Sequence, residues 1–172
     1  MNIKMLAAIA ALTILSFVST AGAQNEWVAF SPEGGNFSVM MPGTPKTEVK
    51  QETGAVGPFT IYGSTLAVPG AFYLVVYVDY APTLRLDVPG EIIANRDNFL
   101  KGIPGATLIA EKKITLGGHP GLEFTANIGT DRHVVSRIYV VGKRPYQLVA
   151  VTLKDADLTN ANKFLNSFKL AK

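Results

Sequence analysis

An α+β fold is predicted for this chain: an antiparallel sheet of about six or seven strands flanked by two main helices. Three observations lead there. Short apolar or alternating segments recur along the chain, separated by Gly-, Pro- and Asp-containing stretches of hairpin length. One segment, residues 71–80 (AFYLVVYVDY), is mostly apolar on both faces, with Phe72, Leu74, Val76, Val78 and Tyr80 on one side and Tyr73, Val75, Tyr77 and Asp79 on the other. Such a strand needs a covering layer on each side. Finally, residues 91–101 and 158–168 carry apolar side chains at helical spacing, one segment lying between two sets of strands and the other near the C-terminus.

Taken in order, residues 25–31 (NEWVAFS) form a short aromatic strand with Trp27 and Phe30 as candidate core residues. Pro32-Glu33-Gly34-Gly35-Asn36 is turn chemistry, and residues 37–41 (FSVMM) alternate as a half-buried strand does. Pro42-Gly43-Thr44-Pro45 ends that strand at an edge or rim, since proline donates nothing to a ladder. Residues 46–52 are polar and fit either an edge strand or a loop. Residues 60–68 and 71–80 are the next two strands, joined by a tight turn at Pro69-Gly70. Within the first, Gly63 is expected to mark a bulge.

The first helix, residues 91–101, follows Pro89-Gly90 and is stopped by Gly102 and Pro104. Glu91 suits the positive end of its dipole, and Ile92, Ile93, Phe99, Leu100 and Ile103 form an apolar stripe. Four strands follow, over residues 107–115, 121–128, 133–141 and 146–152, linked by glycine-rich turns. The second helix, residues 158–168, takes Asp157 as its N-cap and buries Leu158, Ala161, Phe164, Leu165 and Phe168.

Ahead of this domain, residues 1–23 read as an export signal. Lys4 gives a short positive region, residues 5–18 are almost wholly apolar, and Ala21-Gly22-Ala23 is the small-x-small pattern of a cleavage site. An apolar run of about 14 residues falls short of the roughly 20 that a spanning helix needs. The expected mature chain, residues 24–172, is a single domain with a net charge of +2, since the whole chain is +3 and the signal carries one lysine and no acid. Export leads to a periplasmic or extracellular location. No cysteine is present, so disulfides, lipid attachment through cysteine, thiolate nucleophiles and CxxCH haem attachment are excluded.

So small a charge excess is not that of a nucleic-acid binder, and Lys112-Lys113 and Lys143-Arg144 read as solvated charges at strand or loop edges. A peripheral membrane role for these two pairs is the less favoured reading. His119 and His133, even with Asp131, match no metal-site spacing, and Asp155 and Asp157 read as helix-capping residues and not as a calcium loop. There is no GxSxG element or P-loop, and Gly63-Ser64-Thr65 lies inside a strand. Asp79, Glu91 and Glu123 are the acids weighed for a paired-carboxylate site, with Asp79 expected to be exposed at a strand end. Tyr62, Tyr73, Tyr77, Tyr80, Tyr139 and Tyr146 all fall in predicted strands and read as packing partners. No catalytic, cofactor-binding or metal-binding residue is assigned, and no cofactor is expected.

The order of turns and aromatics resembles small exported bacterial proteins of PsbP/Mog-like type. The resemblance runs from Trp27-x-x-Phe30 through Phe37-Ser38-Val39-Met40-Met41-Pro42-Gly43-x-Pro45, Arg96-Asp97 and Gly117-x-x-Pro120-Gly121-x-Glu123. It continues through Arg137-x-Tyr139-Val140-Val141-Gly142 and Tyr146-Gln147-Leu148 to Phe164-Leu165-Asn166-Ser167-Phe168. It implies an α/β/α sandwich around an antiparallel sheet, and no reaction. Relatives of that fold include the extrinsic PsbP protein of photosystem II and the Mog-type Ran-binding protein, which dock onto partners; no residue here carries those docking functions over. The resulting expectation is a non-enzymatic envelope protein that docks a protein partner or a small ligand and binds no nucleic acid. The alternative is a hydrolase whose site assembles only in three dimensions.

Overall fold

The computed structural model describes residues 26–54 and 57–171. The export signal expected over residues 1–23 lies outside them. Seven strands form the main sheet: β3 (Lys46–Gly54), β4 (Gly57–Val68), β5 (Ala71–Tyr80), β6 (Ala106–Leu116), β7 (His119–Ile128), β8 (Arg132–Val141) and β9 (Arg144–Leu153). Their spatial order is β3-β4-β5-β9-β8-β7-β6, antiparallel throughout. Two meanders thus meet at the β5–β9 pair, which occupies the centre of the sheet. A second sheet, β1 (Val28–Phe30), β2 (Phe37–Met41) and β10 (Lys169–Leu170), has β2 in its middle.

The doubly apolar β5 is central, as its sequence requires, and two cores lie against its faces. One face packs Tyr73, Val75 and Tyr77 with Tyr146 and Leu148 under β2 and helix α2 (Thr159–Asn166), which contributes Phe164 and Leu165. The other packs Leu74 and Val76 with Phe124, Ile138 and Val149 under helix α1 (Val88–Gly102), which contributes Ile92 and Phe99. The tyrosines are packing partners: Tyr62 stacks on Tyr77 with ring centroids 4.5 Å apart, and Tyr73, Tyr139 and Tyr146 are buried.

Turn chemistry sets the hairpins. Gly117 and Gly118 have φ of +56° and +83°, the pair of left-handed residues that a two-residue type I′ turn demands. Segment 46–52, open between strand and loop by sequence, is the edge strand β3.

Several expectations are corrected. The strand over residues 37–41 belongs to the small sheet and covers the main one. Pairing of β3, β4 and β5 is unbroken through Gly63, so no bulge lies there; a register shift falls instead between Leu108 and Ala110 of β6. Helix α1 begins at Val88, with Pro89 and Gly90 inside its first turn, because proline's missing N–H costs nothing there. Ile93 is exposed, whereas Glu91 and Asn95 join Ile92 and Phe99 on the buried face. The second helix is shorter than predicted and its N-cap position is Leu158, not Asp157; Asp157, one residue earlier, accepts at Oδ1 from the Thr159 N–H at 2.9 Å and the Thr159 hydroxyl at 2.8 Å.

Candidate functional site

Where β5 ends and β9 begins, the sheet meets the turn between β1 and β2. Tyr77 and Tyr146 are directly opposed, and two residues further along each strand Asp79 and Arg144 meet on the same face. Arg144 Nε and Nη2 donate to Asp79 Oδ1 and Oδ2 at 2.6 and 2.8 Å, the two-pronged geometry in which guanidinium binds carboxylate best. Its Nη1 donates to the Gly34 carbonyl at 2.7 Å and to that of Gly35 at 3.3 Å. The guanidinium carbon also sits 5.0 Å from the Tyr77 ring centroid. Burial lifts the Tyr77 hydroxyl above its ordinary pKa, and the Arg144 charge opposes that rise.

The turn is shaped to present those carbonyls. Gly34 has φ +71°, and a Cβ on Gly35 would lie 2.7 Å from Pro32 Cγ, so two glycines are needed in succession. The Gly35 carbonyl also accepts from Tyr146 Oη at 2.9 Å. Arg144 therefore joins both meanders and the small sheet. It is not the solvated charge that the Lys143-Arg144 pair suggests, and Asp79 is correspondingly half-buried, its side chain 36% exposed.

Open depressions flank this ion pair. One, of about 520 Å³, includes Gln51, Thr53, Phe59, Thr60, Asp79 and Tyr80 in its lining; another, of about 510 Å³, includes Asn36, His119, Val141, Arg144 and Tyr146. Both are large enough for a small ligand or a partner's side chains.

The weighed acids do not converge. Glu91 lies on the buried side of α1, across the sheet from Asp79. It is only 1% exposed, and its Oε1 accepts from Tyr80 Oη at 2.6 Å and Asn95 Nδ2 at 3.0 Å. Burial foremost, and then that hydrogen bond, push the Tyr80 hydroxyl far above its ordinary value. Glu123, on β7, holds Lys112 Nζ and Arg137 Nε, each at 2.7 Å, and Arg137 Nη1 donates to the Leu165 carbonyl of α2 at 3.0 Å. Burial alone would raise the Glu123 pKa, but the two cations outweigh it and hold the carboxyl below its usual range.

His133 Nδ1 lies 3.3 Å from Asn127 Oδ1, whereas Asp131 pairs with Arg132. Among the described residues no group of three or more His, Asp or Glu gathers to hold a metal ion. Ser64 is buried in the middle of β4. Lys143 Nζ donates to the Pro82 carbonyl. No helix of the described residues is long and apolar enough to cross a membrane.

Three arrangements escaped sequence reasoning, the Arg144 junction, the Tyr80–Glu91–Asn95 group and the Lys112–Glu123–Arg137 cluster. The second had a local signal, since Glu91 and Asn95 are four residues apart and in phase with Phe99. The first had none beyond an arginine after a glycine turn.

No protein-family model matches the chain, and no curated protein matches it. Solved structures do. The solution structure of cyanobacterial PsbP (CyanoP) from Synechocystis sp. PCC 6803 is similar over 91% of this chain and 98% of its own, at 14% identity and a TM-score of 0.51. LpqN of Mycobacterium tuberculosis, involved in cell envelope biogenesis, is similar over 74% of this chain and 86% of its own, at 14% identity and a TM-score of 0.48. A Pseudomonas aeruginosa protein of unknown function gives 77% and 85% coverage, 13% identity and a TM-score of 0.41. At such identities likeness speaks for architecture alone, and with the antiparallel sheet, its two covering layers and CyanoP matched nearly end to end, this chain has the PsbP-like fold.

Proposed function

We propose that the protein is exported to the cell envelope and works there by binding, docking a protein partner or a small ligand without catalysing a reaction. In this reading residues 1–23 are removed and residues 24–172 act as one unit. The observation that carries it is the commitment of the polar groups around the depressions. Asp79 is held at both oxygens by Arg144, and Arg144 is spent on Asp79 and two backbone carbonyls. What remains is a rigid, shaped rim of strand ends and turns, the sort of scaffold on which loops carry recognition. Turns at residues 42–47 and 117–120 are the surfaces to which docking is assigned. The apolar signal and the PsbP-like fold, whose resemblance implies docking, support the same reading.

The test is to express the full precursor with a C-terminal tag in its native host, fractionate the cells, and cross-link the envelope before capture and mass spectrometry. A processed N-terminus near Gln24, with one partner at near-equal stoichiometry that substitutions in those turns release, is the expected result. Retention of an unprocessed chain in the cytoplasm overturns the export half. Turnover of a substrate by the pure protein overturns the binding half.

A further inference from the structure

We propose that the β3 edge is a self-recognition strand, by which two copies of this chain join into a two-fold dimer with one continuous sheet. This goes beyond the binding role above; Lys46 and Thr47 fall in both surfaces, but the test here reads self-association of the pure protein and not capture of a partner. Strand β3 is an outer strand of the main sheet and, among the described residues, pairs with β4 alone. Its sequence is Lys46-Thr-Glu-Val-Lys-Gln-Glu52, so Lys46, Glu48, Lys50 and Glu52 project from one face and Thr47, Val49 and Gln51 from the other. Lys46 pairs with Glu48 at 2.8 Å and Lys50 with Glu52 at 2.5 Å along the strand. Between them, Val49 is 64% exposed, more than Ile93, Leu108, Ile109 or Leu153.

Antiparallel pairing of β3 with its own copy about Val49 puts Lys46 opposite Glu52 and Glu48 opposite Lys50, with Val49 against Val49. Every charge on that face then meets its opposite. Moving the centre one residue either way reverses this: about Glu48, Lys46 faces Lys50 and glutamate faces glutamate, and about Lys50, Glu48 faces Glu52. Opposite charges across a strand pair stabilise it and like charges destabilise it. The alternation is therefore self-complementary in one register and repulsive in its neighbours. Lysines on an edge usually discourage pairing; here each is matched by a glutamate at the symmetric distance from Val49.

Backbone geometry agrees. Gly54 and Gly57 oppose one another across a two-residue connection, which makes them a hydrogen-bonded pair. Counting back in twos, the even positions turn their N–H and C=O toward β4, and Thr47, Val49 and Gln51 turn theirs to the open edge. Those groups are what a two-fold partner needs. The charged residues then occupy the non-hydrogen-bonded pairs, where side chains come closest. Val49 is also opposite Tyr62 on β4, so a second Val49 extends the apolar row running through Tyr62 and Tyr77. The resulting interface is isologous and closes at two copies.

The experiment uses protein processed from the full precursor. Because the chain has no cysteine, Val49→Cys introduces one unambiguous reporter. Across the two-fold its Cα atoms would be about 5.5 Å apart, within disulfide range. Thr47→Cys is the control, its two copies about 13 Å apart in this register and beyond bridging. Mild oxidation should link Val49→Cys and leave Thr47→Cys monomeric. Sedimentation equilibrium of the unsubstituted protein should show a dimer. The dissociation constant should rise about tenfold or more in Lys46→Glu/Lys50→Glu and in Glu48→Lys/Glu52→Lys, and mixing these two variants should restore a heterodimer. A monomer at all concentrations, equal cross-linking of the two cysteine variants, or charge variants that self-associate as before would each overturn the proposal. So would open-ended oligomers, which would mean that β3 pairs with the opposite edge strand β6.

Discussion

Replacing Arg144 with methionine keeps an unbranched apolar side chain of similar reach and removes the guanidinium that lies over Tyr77, so it tests the electrostatic junction between β5, β9 and the Gly34-Gly35 turn. The Arg144 side chain is 21% exposed and that of Asp79 is 36% exposed, so their pair is worth less than a buried one and contributes about 0.5–1 kcal/mol. The bond to the Gly34 carbonyl at 2.7 Å contributes about 1–2 kcal/mol, being charge-assisted, and that to Gly35 at 3.3 Å about 0.5 kcal/mol. Tyr146 still serves the Gly35 carbonyl, which limits the loss there. The sum is about 2–3 kcal/mol. For a chain of this size that lowers the melting temperature by about 5–10 °C. Urea unfolding of Arg144→Met, Asp79→Asn and the double variant gives both the total and the pair's coupling. Asp79→Asn alone should cost about 1 kcal/mol, with coupling of about 0.5–1 kcal/mol. If Arg144→Met costs no more than Lys143→Met, the junction contributes nothing and Arg144 is the solvated charge that its neighbourhood in the sequence suggests.

Three further outcomes follow from the same geometry. Tyr80→Phe removes the 2.6 Å donor to the buried Glu91 carboxyl and should cost about 1.5–3 kcal/mol in urea melts, a loss partly recovered by adding Glu91→Gln; no change on the single substitution would refute the pairing. Because burial and then Glu91 hold the Tyr80 hydroxyl protonated in the fold, its contribution is complete below the unfolded value near 10 and is lost as pH rises beyond it, so Tyr80→Phe should flatten the alkaline fall in stability. Glu123 has the opposite sign: its folded pKa is depressed, so the stability it supplies is present above the unfolded value of about 4.3 and disappears as pH falls through the folded one. Glu123→Gln should accordingly weaken the protein at neutral pH and flatten the acid limb, and parallel acid limbs in the two proteins would contradict this. Phe37→Ala removes a ring packed edge-on against Tyr77 and Tyr146, at 5.9 and 5.8 Å, and against Phe168 at 5.2 Å. A loss of about 3–5 kcal/mol is expected, and one below about 1.5 kcal/mol would mean that the small sheet does not seal this core.

Much of the architecture is local in origin and therefore legible. Alternation in residues 71–80 places side chains on two faces whatever strand lies alongside, and two apolar faces call for two covering layers. Gly117-Gly118 and Pro69-Gly70 bend the chain by their own torsional preferences, which closes the hairpins without reference to the rest of the molecule. Phe164, Leu165 and Phe168 are buried because their spacing puts them on one side of the C-terminal segment. Fold class, hairpin pairs and the buried face of the second helix follow from such short-range rules.

Other features depend on which distant segments become neighbours. Residues 37–41 alternate as any half-buried strand does, and nothing in that pattern says that they cross over the main sheet and pair with β1 and β10 instead of joining it. Glu91 is polar and near a helix start, a description that fits an exposed residue until Tyr80 arrives above it. Asp79 and Arg144 are 65 residues apart, and Arg144 and Gly34 are 110 apart, so their junction exists only after the two meanders meet at β5 and β9. By itself the sequence determined the periods, the turns and the need for two covering layers, because these come from backbone geometry and burial within a few residues. Which charges are spent on the fold, and which strand is left at the edge, depends on strand order, which brings together groups that no local rule connects.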